Sequence, residues 1–358
     1  MYQRRWKDFV LYVLVGLATL GLLSGCRGDT PESATEYEAG TQRTDDLFRI
    51  VATTTQAADL TKILTEGVPG VDITALMGPG VDPHLYQPTE SDVVAMNAAD
   101  MVVYSGLHLE GQFDAVFEAL GERDVQVYPL SRPVKEAGFV VGSGTDDPHF
   151  WFDPRNWELS ATDLAETLGR LHPEGAEAYS RNAETYAEQL RSLYAWAEEG
   201  MSRVPAGQRH VVTSHDAFQY FGAAFGWQVA GIQGISTQDE AGVADIEKMV
   251  DFVIENDIPV LFVESSIPPN TIGAVVEAIE AENGSVDMGL RELYGDAMGV
   301  PGTFGGTYVG MLAENVLTIL QSYRCAGDSG VARRTNPGSP GGDSECRVRL
   351  IPEFRRLR

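Results

Sequence analysis

Residues 174–203 hold no proline and place apolar or aromatic side chains at Ala178, Tyr179, Ala183, Tyr186, Leu190, Leu193, Tyr194, Trp196 and Ala197. Steps of three and four residues predict one continuous helix. Pro173 just ahead suits a first helical turn, where its missing N–H costs nothing. At 1.5 Å per residue such a helix is about 45 Å long, enough to run the height of two stacked lobes. The flanking sequence supplies the lobes. Strand-like runs at 49–55, 72–77, 101–105 and 125–130 alternate with helical spacing at 57–66 and 111–120. After the helix the scheme repeats, with runs at 210–214, 227–232, 259–264 and 286–289. Alternating strands and helices predict an α/β fold: two parallel-sheet, Rossmann-like lobes bridged by a single long helix. As the only connection, that helix makes a stiff hinge. The expected divisions are 47–172 for the N-terminal lobe, 173–203 for the helix and 204–324 for the C-terminal lobe.

Three of the six histidines sit in short polar segments beside a proline turn or after an apolar run: Val81-Asp82-Pro83-His84, Asp147-Pro148-His149-Phe150-Trp151 and Thr213-Ser214-His215-Asp216. They are far apart in sequence, so they meet only if the two lobes face each other. The loop Leu293-Tyr294-Gly295-Asp296-Ala297 offers a carboxylate. Three imidazoles and one carboxylate suit zinc and are tolerable for manganese. Glu264, closing an apolar run, is either a fifth ligand or the acceptor that orients a ligand histidine. His108, His172 and His210 read as structural or exposed.

The N-terminus says where such a site would work. Arg4, Arg5 and Lys7 precede an apolar run from Phe9 to Leu23. At about 15 residues that is a secretory signal core, not a span of roughly 20. It ends in Leu23-Ser24-Gly25-Cys26, small residues before a cysteine, the pattern of a bacterial lipoprotein signal over 1–26 with lipid on Cys26. Residues 27–46, rich in Asp, Glu, Thr, Ser and Gly, read as a flexible tether. The expected location is extracytoplasmic, lipid-anchored at a membrane. The net charge is −26, which disfavours nucleic acid as a partner.

With these segments in place, the chain resembles the metal-binding receptors of bacterial ABC importers, the zinc and manganese class with two α/β lobes joined by one long helix. The resemblance covers 48–323 and rests on Gly80-Val81-Asp82-Pro83-His84, on 147–154, on Thr213-Ser214-His215-Asp216-Ala217-Phe218, on Phe262-Val263-Glu264-Ser265-Ser266 and on 293–299. It implies that His84, His149, His215 and Asp296 are the ligands, two from each lobe. It also implies an importer permease as partner, a monomer, and no enzymatic activity. Manganese-selective relatives usually carry glutamate at the third position; His215 here favours Zn2+ as cargo, with Mn2+ second. Many zinc-specific relatives carry a histidine-rich loop before the second ligand, whereas 110–147 hold no histidine.

Two other functions fit parts of the pattern. A zinc-dependent hydrolase would use the three histidines as an open site with Glu264 or Asp296 as base, but no His-Glu-x-x-His pair supports it. A surface adhesin could retain the same fold. The tail at 325–358 departs from the family, whose last helix should end near 315–323. Outside the cytoplasm Cys325 and Cys346 could pair in a disulfide, and 327–343 read as flexible.

Overall fold

The computed structural model describes residues 47–123, 125–141 and 146–335. The first half runs β1 (Phe48–Ala52), α1 (Thr55–Leu64), β2 (Val71–Ala75), α2 (Glu90–Ala98), β3 (Met101–Tyr104), α3 (Asp114–Gly121), β4 (Gln126–Pro129), α4 (Arg132–Glu136) and α5 (Pro154–Leu171). Its four strands form a parallel sheet in the order β2-β1-β3-β4. Start signals in the sequence set several helix ends. Thr54 Oγ1 accepts from Ala57 N at the head of α1, and Thr89 with Asp92 forms a capping box on α2. Asp153 caps α5, whose first residue is Pro154.

The long helix is α6 (Ala176–Met201). Its 26 residues span about 39 Å, shorter than the sequence predicts. Pro173–Gly175 form a separate 3-10 turn ahead of it. Its buried stripe of Tyr179, Ala183, Tyr186, Ala187, Leu190, Leu193, Ala197 and Met201 requires cover, and α5 supplies part of it. Trp157 Nε1 donates to Tyr186 Oη at 3.2 Å across that contact.

After α6 come β5 (His210–His215), α7 (Gln219–Phe225), β6 (Gln228–Gln233), α8 (Val243–Glu255), β7 (Val260–Leu261), α9 (Asn270–Ala281), β8 (Asp287–Met288) and α10 (Tyr308–Thr335). The pairs β5-β6 and β7-β8 are parallel, and Phe262 N donates to Val212 O at 2.9 Å between them. The resulting succession β6-β5-β7-β8 repeats that of the first half. One apolar cluster runs from β1 and α1 through α5 and α6 to α7 and α10. A joint expected to be one helix is therefore a shared core, because α5 and α10 pack along α6 as well.

The C-terminus departs from expectation. α10 passes Tyr323 and runs to Thr335, so the part of 327–343 before that residue is helical. No proline interrupts it before Pro337, which disfavours helix in the residue ahead of it. Cys325 lies on α10 and is disulfide-bonded, whereas Cys26 and Cys346 lie outside the described residues. So do the signal at 1–26 and the tether at 27–46. Among the described residues no helix is long and apolar enough to cross a membrane.

Candidate metal centre

Parallel strands present their carboxyl ends on one side of a sheet, and ligands of open α/β sheets gather there. His84 follows β2, His149 follows β4 and α4, His215 ends β5, Glu264 follows β7 and Asp296 follows β8. His84, His149, His215 and Asp296 converge, with one donor atom from each lying within 4.8 Å of the others. All four are buried.

The separations are those of a coordination shell. His84 Nε2 lies 3.3 Å from His149 Nε2, and Asp296 lies 3.2 Å from His149 Nε2, 3.3 Å from His215 Nε2 and 3.8 Å from His84 Nε2. A tetrahedron with bonds of ~2.05 Å has edges of about 3.3 Å. Both carboxylate oxygens of Asp296 and Nε2 of His215 are buried without a hydrogen-bond partner among the described residues. Orphaned buried acceptors and ring nitrogens are costly unless something binds them. Three imidazoles and a carboxylate around such atoms fit a zinc-like divalent ion.

Local sequence explains how the histidines are aimed. In Asp82-Pro83-His84 and Asp147-Pro148-His149 the aspartate accepts from the histidine N–H two residues on, at 2.8 and 2.9 Å. This is an Asx turn, with φ of the middle residue fixed by proline. Asp147 Oδ1 also lies 2.7 Å from His149 Nδ1. Glu264 plays that part for His215, accepting from its N–H at 2.9 Å and lying 2.9 Å from Nδ1, the latter without hydrogen-bond geometry. Of the two roles open to Glu264, its position matches the acceptor that orients His215. Gly295 makes room for it: a Cβ there would stand 2.3 Å from Glu264 Oε2.

The charges divide the site. Burial alone would lower the His149 imidazole, but Asp147 and Asp296 push it up to about 9. Burial likewise opposes protonation of His215, yet Glu264 and Asp296 hold it well above its ordinary value. Burial would raise the Asp296 carboxyl, but His215, His149 and His84 hold it well below the carboxylate range. His84 is the exception. Burial, reinforced by its two histidine neighbours against the pull of Asp296, takes it down to about 3.

A profile of the family described as zinc-uptake complex component A, periplasmic (ZnuA), matches residues 50–322. The chain belongs to this family. The manganese-binding lipoprotein MntA of Bacillus subtilis (strain 168) is 38% identical over 303 residues, 84% of this chain and 95% of MntA. The zinc-binding protein TroA of Treponema pallidum (strain Nichols) is 39% identical over 272 residues, 76% of this chain and 87% of TroA. The solved structure of the periplasmic zinc-binding TroA of T. pallidum matches with a TM-score of 0.74 at 37% identity, covering 77% of this chain and 99% of that one.

Within this ZnuA-family site, several supporting residues escape a reading by sequence. Asp147 could have been found from the Asp-Pro-His spacing. Gln56 could not: its Nε2 donates to Asp296 O at 2.9 Å from 240 positions away. Nor could Tyr220, whose hydroxyl donates to Asp147 O at 2.9 Å. The other histidines stand apart from the cluster. His108 is exposed beside Asp114, His172 stacks on Phe48 and meets Tyr179, and His210 is buried on β5.

Proposed function

We propose that this chain is an extracytoplasmic receptor that captures one divalent metal ion between its two halves and delivers it to the permease of an ABC importer. The observation that carries this reading is the buried group His84, His149, His215 and Asp296, whose donor separations match a single four-coordinate ion. Zn2+ is the cargo and Mn2+ the second candidate. The relatives' names include zinc, manganese and iron, so the choice turns on the donor set. Only one of the four donors is a carboxylate, and a nitrogen-rich set favours zinc.

The ion is cargo, and no chemistry is performed on it. Four buried protein donors leave no open position for an activated water, which a zinc hydrolase needs. Two ligands come from each half, so the bound ion ties the halves together, and the permease recognises that closed form. The further assignments belong to the same reading: a lipoprotein signal over 1–26, lipid on Cys26, a tether over 27–46, lobes at 47–172 and 204–324, a monomeric state, and a Cys325–Cys346 disulfide in the 325–358 extension.

Calorimetric titration with zinc and manganese, alone and in competition, tests this. One tight zinc equivalent is expected, abolished by His215→Ala. Tight manganese with weak zinc would reverse the choice of metal and keep the receptor, whereas no binding of either would remove the receptor.

A further inference from the structure

The four ligands are not held alike. His215 sits in β5 itself. The Asp296 loop is pinned from α1, where Gln56 Nε2 donates to Asp296 O and Thr55 Oγ1 accepts from Met298 N, both at 2.9 Å. His149 is held by buried Asp147, whose backbone carbonyl accepts from the Tyr220 hydroxyl. Loop 78–85, which carries His84, has mostly its own short-range bonds, such as Val81 N to Gly78 O. Gly80 in it has φ +71°, and Leu85, next to the ligand, is 52% exposed.

Among the described residues, one segment of the other half reaches over that loop by hydrogen bonds to Asp82 and the His84 backbone. Thr237 Oγ1 donates to Asp82 Oδ2 at 2.7 Å, and Gln238 Nε2 donates to His84 O at 3.3 Å. Both residues belong to 234–242, the irregular connection between β6 and α8. Its root is fixed where Asp216 N donates to Gly234 O at 3.2 Å, next to His215. Its crest at 238–240 is exposed, while Thr237 alone is turned in and buried. A segment fastened at one end, open to solvent along its crest and latched by two side chains has the form of a strap.

We propose that Thr237 and Gln238 are positioning residues, and that 234–242 is a strap latched onto the His84 loop, whose unlatching opens the way for the metal to leave. The inference rests on the receptor reading and adds the moving part. Three ligands are anchored in strand, helix or buried carboxylate and stay in place. The fourth is held shut from the opposite half by one hydrogen bond to a charged carboxylate and one to a backbone carbonyl. Breaking the first of these frees Asp82, and Asp82 sets the His84 backbone through their Asx turn.

The test is zinc release from the full chain loaded with one equivalent, followed by stopped flow against excess chelator, with thermal midpoints measured in parallel. Thr237→Val keeps the shape and removes the donor; it should still bind one equivalent and release it about tenfold faster, the effect expected of one lost hydrogen bond to a charged group. Thr237→Ser keeps the donor and should release at the wild-type rate, which a mere packing role would not predict. Gln238→Leu should add to the Thr237→Val effect. An unchanged release rate in Thr237→Val with a full equivalent bound overturns the strap and leaves the receptor standing. A wild-type chain that takes up no zinc overturns the receptor and the strap with it.

Discussion

The same tripeptide occurs at two of the clustered histidines and is put to two uses. Asp147-Pro148-His149 turns its aspartate inward, so one carboxylate oxygen fixes both the backbone N–H and the ring of its own histidine. Asp82-Pro83-His84 makes the same backbone bond, but its second oxygen accepts from Thr237 of the 234–242 connection. No carboxylate stands within ion-pair distance of His84 Nδ1 among the described residues. Asp147 and Asp296 thus push the His149 pKa up while Asp147 orients its ring, whereas burial pushes His84 down and its hydrogen bonds to Asp82 and Gln238 are made by its backbone. The difference shows that the motif fixes the same turn twice, whereas its surroundings decide whether the carboxylate holds its own histidine ring or reaches a residue of another segment.

The largest break in this comparison removes a ligand outright. A four-ligand zinc site contributes roughly 10–16 kcal/mol, so each ligand carries about 2.5–4 kcal/mol, or on the order of a hundredfold or more in affinity. His149→Ala and Asp296→Ala should each lose at least that much by zinc competition. Affinity kept within tenfold would remove that residue from the shell.

Next comes the carboxylate behind an anchor. Asp147→Asn and Glu264→Gln should weaken binding about 10–100-fold, the range for residues that orient a metal-bound histidine. Asp82→Asn keeps one acceptor for the His84 N–H and turns an amide donor toward the Thr237 hydroxyl, so it should cost less than Asp147→Asn. An equal loss would erase the distinction between the two loops.

The charges sharpen it further. His149 keeps its proton up to about pH 9, and its Nε2 must be free for a metal, so uptake near pH 7.5 should expel a proton. Calorimetry in buffers of different ionisation enthalpy measures this. Affinity should fall as pH falls, and an absence of proton release would contradict the anchored, charged state of His149.

The last effect bears on stability rather than on metal affinity, and lies at Asp59, which holds the head of α10. Burial raises Asp59 from 3.8 to about 6 while its Oδ2 accepts from Tyr308 N. The folded chain then holds a proton that the unfolded chain has lost. The stabilisation is complete below 3.8 and disappears as pH rises through about 6, amounting to on the order of 2–3 kcal/mol. Asp59→Asn should flatten that part of the stability profile in thermal melts; an unchanged slope would locate the titration elsewhere.

Much of this could be read from the chain. Each strand-like run found by its alternation with helices became a strand, and the apolar runs Met101-Val102-Val103 and Val211-Val212 are buried on both faces, as central parallel strands require. The three clustered histidines were legible because each sits in a short polar segment beside a proline turn or at the end of an apolar run, and Asp296 because it lies in a loop after one. Local pattern failed where partners are distant. Gln56 with Asp296 and Thr237 with Asp82 are 240 and 155 positions apart, and no periodicity encodes such a pair. The end of α10 was missed for the opposite reason. Glycines at 327 and 330 suggested a break, but nothing before Pro337 forbids helix.

The most direct test is anomalous diffraction at the zinc edge on crystals of the loaded chain. The account predicts one ion, bonded at ~2.0–2.2 Å to Nε2 of His84, His149 and His215 and to Asp296. An ion elsewhere, or one bound by fewer than three of these imidazoles, would contradict it.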